Sequence, residues 1–330
     1  MYRVKLSIDV DCINQTPERE GVWGDYLFEI NGEGTEYDFW VVYSKGVFKT
    51  EKCYVAPENT MMITGEPSTI YHYSNGYVKQ FGTLLVCRND IKHPHQIHIQ
   101  PAQPWFIGRI SDENGVHFKT GYDDYKGNDI YNKTKLISVI SSNKAFTKGH
   151  QERIDFVQKL KEHFGDQLDV FGRGFNDFDD KWNVVAPYKY HIAIENSSFD
   201  DYWTEKLADS YIGGAYPIYY GCTNVEKYFD KDALTMIDIH NVDMSIKQIE
   251  DVIKSNTYET HKTAIIKAKN QVLDEYNLFA MLAKIMDGMN PNAKKQEVTI
   301  KADTSFIDVK KIQTMGISRI INGIKRKMKM

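Results

Sequence analysis

The segment Leu136–Ser141, with the sequence LISVIS, constrains the fold more than any other part of the chain. Six uncharged, mostly apolar residues in a row are typical of a strand buried on both faces of a parallel sheet. Helical and strand-like patterns then alternate; we expect helices at 152–164, 201–211, 246–254 and 258–286 and strands at 168–171, 190–195, 216–220 and 234–239. This alternation indicates an α/β sheet with helices on both faces.

The N-terminal part of the chain contains shorter strand-like runs, at 4–10, 37–43, 61–64 and 84–87. They are followed by a segment rich in proline, glycine and asparagine, 91–132, which we expect to be irregular or to cross between domains. The predicted domain organisation is therefore an N-terminal domain at 1–133, a second domain at 134–290 and a C-terminal extension at 291–330.

Composition narrows the class of protein. Hydrophobic residues make up 42% of the chain, enough for a sizeable core, and no apolar run approaches the roughly 20 residues of a membrane span. The four cysteines have no short spacing, which argues against a cysteine-based zinc module and a disulfide framework and favours a reduced, intracellular protein. The formal net charge is −4 although the last 21 residues contain seven basic residues and no acid, so the acidic body argues against nucleic-acid binding.

Polar chemistry follows two of the predicted strands of the second domain, where open α/β sheets bind ligands. The first site is Phe171–Phe175, FGRGF, in which two glycines flank Arg173 and let the backbone approach a ligand while the guanidinium grips a phosphate. The alternative is a surface arginine in a glycine-rich loop.

The second site follows the strand 190–195. If a helix starts near Asp200, then Tyr202, Glu205, Lys206 and Asp209 lie on one face. Glu205 and Lys206 are adjacent, so they do not form the usual i,i+4 salt bridge. A phenol, a carboxylate and an ammonium group in a first turn suit a phosphorylated ligand with hydroxyl groups. The alternative is a solvated helix face.

Two runs resemble the donor-binding signature of glycosyltransferase family 10, the α-1,3/α-1,4-fucosyltransferases. The first run consists of Glu195-Asn196-Ser197 and Asp201–Leu207, and the second is Gly213–Gly221. The corresponding family pattern is close to F-E-N-S-x(4)-Y-V-T-E-K followed by P-[IV]-x-x-G. Ile194 stands in place of the usual Phe and Trp203 in place of Val. The segment Val139–Asn143 with Arg153 also resembles the family's S-N…R segment.

This resemblance implies a fold of two Rossmann-like domains that face each other across a cleft, the GT-B type. The second domain would bind a nucleotide sugar, GDP-β-L-fucose in this family, and the first would face a glycan acceptor. By motif position, Arg173 and Lys206 would neutralise the diphosphate. Asn196, Tyr202 and Glu205 would hold nucleotide, ribose or sugar groups, and Asn143 would also belong to the donor site. The family's reaction inverts the anomeric carbon and needs no metal held by the protein and no cofactor.

An inverting displacement needs a group that accepts the proton of the acceptor hydroxyl. The segment Ile63–Ser68 resembles the family's T-G-E stretch, whose glutamate is the proposed general base, and this implies catalysis by Glu66. The residue follows a strand-like apolar run in a Gly-Glu-Pro turn, which displays a side chain on an ordered scaffold. The alternative is an ordinary turn glutamate.

Two patterns suggest a metal by spacing alone. Asp-x-Asp occurs at 9–11 and 177–179, and three histidines, His93, His95 and His98, surround Pro94. Acidic loops and solvated histidine clusters show the same spacings, so we expect no metal site.

The apolar residues of the basic tail 316–330 recur at helical spacing among arginines and lysines. The pattern predicts an amphipathic helix that lies on an anionic membrane surface; a solvated terminus or a helix packed on the first domain is the alternative. We therefore expect a cytoplasmic enzyme, peripheral on the membrane, that builds surface polysaccharide or lipopolysaccharide with fucose from a GDP-sugar. The alternatives are an enzyme of the same fold with another nucleotide sugar, and a non-catalytic glycan-binding homologue.

Overall fold

The computed structural model describes residues 1–113, 115–128, 132–141 and 148–306, with the backbone alone at 148 and 150. Two predicted features, Asn143 and the basic tail 316–330, lie outside these residues. Among the helices of the described part, none is long and apolar enough to cross a membrane.

The first part of the chain builds a sheet that is almost entirely parallel. The strands of this part are β1 (Tyr2–Ser7), β2 (Val22–Trp23), β3 (Tyr26–Ile30), β4 (Phe39–Tyr43), β5 (Glu51–Val55), β6 (Thr60–Ile63), β7 (Thr83–Val86) and β8 (Gln96–His98). All of them except β5 belong to the sheet. The order in the seven-stranded sheet is β2-β3-β1-β4-β6-β7-β8, and only β2 and β3 pair antiparallel. Its central strands are buried on both faces, which explains their continuous apolar sequences.

The segment expected to be irregular holds β8 and a hairpin of β9 (Arg109–Asp112) and β10 (Gly115–Phe118). The second sheet follows, with the strands β11 (Lys135–Ile140), β12 (Leu168–Phe171), β13 (Tyr188–Ile194), β14 (Tyr216–Tyr220) and β15 (Thr235–Met236). Its order is β12-β11-β13-β14-β15, and all of its neighbouring strands run parallel. The predicted architecture of two Rossmann-like α/β units is therefore confirmed.

The helices of the described residues are α1 (Asn75–Val78), α2 (Tyr122–Tyr125), α3 (Lys148–Phe164), α4 (Trp182–Val185), α5 (Glu205–Ile212), α6 (Val242–Lys254), α7 (Thr257–Thr260), α8 (Lys262–Asp274) and α9 (Leu278–Met286). Side chains of α3, α5, α6 and α8 pack with the second sheet in one hydrophobic core.

The single helix expected at 258–286 is wrong, because this segment forms α7, α8 and α9. Asn277 breaks the pattern by accepting a hydrogen bond from the backbone amide of Ala280 (2.9 Å), which caps the start of α9. Helix α9 then packs on the first sheet, in the core that contains Val4 and Phe39. The strand β16 (Gln296–Ile300) pairs antiparallel with β5. Helix α9 and strand β16 thus return to the first unit. The predicted domain boundaries, which assign 278–290 to the second domain, stay a prediction.

The helix expected from Asp201 begins four residues later, at Glu205. Asp201 has a positive φ of 61°, which a helix cannot accommodate. Its carboxylate is held by Lys227 Nζ at 2.8 Å and by the Tyr228 hydroxyl at 2.6 Å. Side-chain contacts therefore fix this turn, and Tyr202 lies in the loop before α5 rather than on the helix face predicted from the spacing.

Candidate active site

The end of β13 places a buried carboxylate at the mouth of the second sheet. Glu195 is fully buried and accepts hydrogen bonds from the Thr204 amide (2.8 Å) and hydroxyl (2.8 Å). A Cβ at position 221 would lie 2.4 Å from Glu195 Cγ, so Gly221, the glycine of the P-I-x-x-G run, gives this side chain its space. These contacts close the loop 195–204 into a fixed turn in front of α5.

Lys206 extends from the first turn of α5 into the cleft between the two sheets. Its Nζ lies 3.3 Å from Glu195 Oε2 and 3.1 Å from Glu205 Oε1. Burial would lower the pKa of Lys206, but these two carboxylates outweigh burial and hold the pKa above its usual range. The ammonium group is therefore charged, and a quarter of the Lys206 side chain remains exposed. Although Glu205 and Lys206 are adjacent and cannot form an i,i+4 salt bridge, their side chains pair directly at the N-terminus of the helix.

One carboxylate oxygen of Glu205 has no hydrogen-bond partner among the residues that the structure describes. Oε1 pairs with Lys206, whereas this oxygen, Oε2, is buried. Burial alone would raise the pKa of Glu205, but Lys206 and Lys181, with the Thr204 and Lys206 hydrogen bonds, lower it to about 2. A charged, desolvated oxygen of this kind is suited to accept a hydrogen bond from a ligand hydroxyl.

Asn196 and Arg153 form a second polar pair beside this cluster. Arg153 Nη1 donates to Asn196 Oδ1 at 2.9 Å, and the buried Arg153 Nε has no partner among the described residues. Burial lowers the pKa of Arg153, an effect that the nearby Glu195 carboxylate partly offsets. The guanidinium therefore still has donors to offer to an anion that enters the site.

Tyr202 packs at the centre of the loop. Its ring stacks on Phe199 with the ring centroids 4.7 Å apart, and the residue is almost fully buried. Burial raises the pKa of Tyr202 well above its ordinary value, and the carboxylates of Glu195, Glu205 and Glu66 raise it further. The phenol is therefore neutral and close to carboxylates from both sheets.

Glu66 enters the site from the opposite unit, three residues after the end of β6. A Cβ at Gly65 would lie 2.9 Å from the Tyr43 ring, so glycine lets the turn pass close to β4. The Arg88 guanidinium donates to the Glu66 carbonyl oxygen at 2.8 Å. Beyond the turn, the hydroxyls of Thr69 and Ser197 lie 3.0 Å apart, which ties the Glu66 loop to the loop 195–204 across the cleft.

The Glu66 carboxylate is available for proton transfer. Within the described part of the chain it has no hydrogen-bond partner, and it lines a cavity of about 410 Å³ whose wall is formed by residues between Asp9 and Arg109. Burial raises the pKa of Glu66, Lys206 acts against this rise, and the Glu205 carboxylate adds to it. The charges of Lys206 and Glu205 therefore act on the Glu66 carboxylate, and a carboxylate with a raised pKa is suited to exchange a proton.

The structure brings five predicted residues together, namely Glu66, Asn196, Tyr202, Glu205 and Lys206. Arg173 is exposed in the loop after the edge strand β12 and has no hydrogen-bond or ion-pair partner among the described residues. Arg153 occupies the position beside Asn196 instead. The sequence did not predict a role for Arg153, although the S-N…R pattern that contains this residue indicated a place in the donor site.

Members of both patterns considered for metal binding have other contacts. Asp11 Oδ1 accepts the backbone amide of Ile13 at 3.1 Å. His93 Nε2 lies 3.0 Å from the Phe81 carbonyl oxygen. Over residues 1–113, 115–128, 132–141 and 148–306, no group of three His, Cys, Asp or Glu side chains is placed to hold a metal ion.

Two facing α/β units with a polar cleft between the carboxyl ends of their strands define the GT-B class of fold. Residues 130–261 match the model of the family "Glycosyltransferase family 10 (fucosyltransferase) C-term". The resemblance to glycosyltransferase family 10 that the sequence predicts is therefore confirmed over this segment.

Curated proteins with related sequences include two fucosyltransferases. The chain is 26% identical over 190 residues to GDP-fucose protein O-fucosyltransferase 3 of Danio rerio, which covers 53% of this chain and 38% of that protein. It is 25% identical over 134 residues to 4-galactosyl-N-acetylglucosaminide 3-alpha-L-fucosyltransferase 9 of Bos taurus. This alignment covers 39% of this chain and 36% of that protein. The match thus spans less than two fifths of the length of these relatives.

Among solved structures, a crystal structure of an alpha1,3-fucosyltransferase aligns with a TM-score of 0.48 and 14% identity, over 79% of this chain and 80% of that one.

Proposed function

We propose that this protein is a glycosyltransferase that transfers L-fucose from GDP-β-L-fucose to a hydroxyl group of a glycan, with inversion at the anomeric carbon. The observation that carries the proposal is that the Glu66 loop of the first unit meets the loop 195–204 in front of α5, where the hydroxyls of Thr69 and Ser197 lie 3.0 Å apart. The family match supports a fucosyl donor, and the two relatives described above are named as fucosyltransferases.

In the proposed reaction, Glu66 accepts the proton of the acceptor hydroxyl as its oxygen attacks the anomeric carbon. Because its carboxylate has no competing hydrogen-bond donor among the described residues, a lone pair is free for this proton. The bond to the diphosphate breaks on the opposite face of the sugar, so a β-linked donor gives an α-linked product.

The departing diphosphate gains negative charge, and fixed cations that meet this charge lower the barrier. Lys206 is the first candidate, since it is held charged beside the cleft. Arg153 is the second, with its free donors next to Asn196. The free Glu205 Oε2 and the side chains of Tyr202 and Asn196 are placed to hold hydroxyl groups of the sugar or ribose. Arg173 and Asn143 keep their proposed donor roles from the motif alone.

The proposal assigns charge neutralisation to side chains, with no cofactor and no metal held by the protein. Transfer is therefore expected to persist when the enzyme is dialysed against EDTA and assayed in its presence. Loss of transfer in EDTA that returns with an added divalent cation would contradict this part of the proposal.

The direct test is a transfer assay with GDP-fucose and a panel of glycans, in which NMR of the product determines its anomeric configuration. We expect free GDP and an α-fucoside. Thermal-shift measurements with GDP-, UDP- and CDP-sugars separate a fucosyl donor from another nucleotide sugar. Binding of a glycan without any turnover would instead indicate a non-catalytic homologue.

We also propose that the acceptor is a surface polysaccharide or lipopolysaccharide, and that the tail 316–330 holds the enzyme on the cytoplasmic membrane face. The spacing of apolar and basic residues in the tail supports this attachment. Deletion of 316–330 should reduce flotation with anionic vesicles and leave transfer to a soluble acceptor intact. Unchanged flotation would remove the tail from the proposal.

A further inference from the structure

The segment 296–306, which we call the strap, packs on the first unit. Its strand β16 pairs with β5. The Gln80 side chain then binds the backbone of Lys301, because its oxygen accepts a hydrogen bond from the amide (2.8 Å) and its nitrogen donates to the carbonyl oxygen (3.1 Å). Phe306 packs so closely on α1 that a Cβ at Gly76 would lie 2.3 Å from the Phe306 ring. Contacts on both sides thus fix the residues between 301 and 306.

Between these contacts, Asp303 presents a buried carboxylate to the Glu66 loop, residues 66–74. Asp303 is only 3% exposed. The Tyr71 hydroxyl donates a hydrogen bond to its Oδ2, and the Ser74 hydroxyl donates to its Oδ1 at 3.0 Å. Among the described residues, no cation pairs with this carboxylate. Because a buried charge has lost its hydration, these charge-assisted hydrogen bonds hold the Glu66 loop against the strap.

Arg88 joins Tyr71 to Glu66 inside this loop. Its Nη1 donates to the carbonyl oxygens of Glu66 (2.8 Å) and Tyr71 (2.7 Å). Asp90 holds the guanidinium in place through two hydrogen bonds of 2.6 Å. A displacement of Tyr71 is therefore transmitted to the backbone of Glu66.

The position of the Glu66 carboxylate depends on these contacts of the backbone. The side chain makes no hydrogen bond of its own to the described residues, so its place in the cleft follows the path of the loop. A misplacement of about 1 Å in a reacting group can cost about 10²-fold in rate. Contacts that fix the loop are therefore contacts that position the carboxylate.

Tyr71 also holds a positive charge near Glu66. The Lys45 ammonium group lies 3.7 Å from the centre of the Tyr71 ring, and Lys45 lines the cavity that contains Glu66. Burial raises the pKa of Glu66, and Lys206 and Lys45 act against this rise. The other charged or titratable groups that face Glu66 are Asp9, Tyr43, Tyr73, Tyr202 and Glu205. Loss of the Tyr71 ring would therefore remove the support of one of two cations that act on Glu66.

We propose that Asp303 is a positioning residue for the transfer reaction, which acts on Glu66 through the side chains of Tyr71 and Ser74. When the strap loosens, Glu66 leaves its place in the cleft while the donor site in the second unit stays intact. This inference rests on the proposed function, in which Glu66 accepts the proton of the acceptor hydroxyl.

Three variants separate the contacts of the strap. Asp303→Asn keeps the size of the side chain and removes its charge. Tyr71→Phe removes the hydrogen bond to Asp303 and keeps the ring beside Lys45, whereas Tyr71→Leu removes both. Each variant is compared with the wild type in turnover of GDP-fucose with the acceptor that the glycan panel identifies, and in calorimetry with GDP.

Lys295→Met is the matched control. Lys295 lies just before β16 and pairs with Glu36 at 2.9 Å and with Asp38 at 2.7 Å. The change loosens the same part of the chain on the first unit without touching the Glu66 loop. It should leave kcat and GDP affinity at the wild-type level.

Asp303→Asn and Tyr71→Phe should each lower kcat at least about tenfold while GDP affinity changes by less than about twofold. Tyr71→Leu should in addition move the acidic limb of kcat/KM to higher pH, since Lys45 no longer opposes the rise in the pKa of Glu66. Tyr71→Phe should leave this limb in place. Hydrogen exchange measured by mass spectrometry should become severalfold faster in 66–74 in the first two variants and stay unchanged in 195–204.

Wild-type kcat in both Asp303→Asn and Tyr71→Phe overturns the inference, as does a loss of GDP affinity equal to the loss of kcat. A limb that Tyr71→Leu does not move, unchanged exchange in 66–74, or equal losses in Lys295→Met also overturn it. If Asp303→Asn does not fold, Tyr71→Phe decides the question, because it removes one hydrogen bond at a half-buried position. A wild type that does not turn over GDP-fucose contradicts the proposed function and the inference with it, whereas an active wild type with unaffected variants contradicts the inference alone.

Discussion

At the scale of single residues, the proposed reaction depends on the different electrostatic environments of the carboxylates around the cleft. Burial raises the pKa of Glu66, whereas the neighbouring cations lower that of Glu205. Groups whose pKa values are pushed apart in this way can perform different tasks at one pH. Glu66 is thereby suited to exchange a proton, and Glu205 to remain charged and hold a ligand.

Replacement of Glu66 by Gln should abolish transfer while GDP affinity changes by less than about twofold. The amide keeps the size of the side chain but cannot accept the proton, and loss of general-base catalysis typically costs about 10²–10⁴ in rate. Transfer assays and calorimetry with GDP measure the two effects. Normal turnover by Glu66→Gln would remove this residue from the reaction.

The pH dependence of kcat/KM should show an acidic limb set by Glu66. The base is active when deprotonated, so activity is present above its pKa and is lost as pH falls through it. Because the pKa of Glu66 is raised from 4.5, this loss should begin at higher pH than for an ordinary glutamate. Lys206→Met should move the limb to higher pH still, since the ammonium group acts against the rise; a limb unmoved by this change would contradict the coupling.

The sequence predicted most of these residues because a local motif contains them. One strand is followed within a short stretch by Asn196, Tyr202, Glu205 and Lys206. Because the turn that contains them is short, these residues stay close together whatever path it takes. Arg173 follows a different strand, β12. This strand lies at the edge of the sheet and is not a neighbour of β13 or β14. The spacing of residues in the sequence does not reveal this strand order.

At the scale of elements, the start of α5 is decisive because Lys206 is in its first turn. Thr204 caps this helix and also donates to the buried Glu195. The pattern of Tyr202, Glu205, Lys206 and Asp209 predicted an earlier start, since it carries no information about the contacts that hold Asp201 in a left-handed conformation. Element type was therefore predictable and its first residue was not.

Thr204→Val should lower both stability and donor affinity. The change removes the cap and a hydrogen bond to a buried carboxylate, which together cost about 1–3 kcal/mol of unfolding free energy. GDP affinity should fall severalfold because Glu195 and Lys206 lose their fixed geometry. Chemical denaturation and calorimetry measure the two effects.

Asn241→Ala is the matched control, because Asn241 caps α6 through the Met244 amide. It should cost about 1 kcal/mol of unfolding free energy and leave GDP affinity unchanged. If both variants retained wild-type GDP affinity, the start of α5 would have no part in donor binding.

At the scale of the whole molecule, the site depends on both units and on the way the chain joins them. The carboxylates of buried Asp209 and half-buried Asp180 fasten the segment 106–108 to the second unit, and α9 returns to the core of the first. The second, parallel sheet was predictable from local periodicity, and the Rossmann-like fold of the first unit from the family resemblance. The return of α9 was not, because an apolar helix shows the same pattern whichever sheet it packs against.

Binding of GDP should therefore stabilise the protein as one unit. At 100 times the dissociation constant, a ligand that binds the folded state alone adds about 2.7 kcal/mol of unfolding free energy. Calorimetric melting with increasing GDP should show Tm rising with concentration, and Lys206→Met should need more GDP for the same rise. A Tm that GDP does not change would contradict donor binding.

The most direct measurement is a crystal structure with GDP bound. We expect the diphosphate within hydrogen-bond distance of Lys206 Nζ, with its outer oxygens turned toward the cavity that contains Glu66. A nucleotide bound at another surface, or a diphosphate that leaves Lys206 paired only with Glu195 and Glu205, would contradict the account.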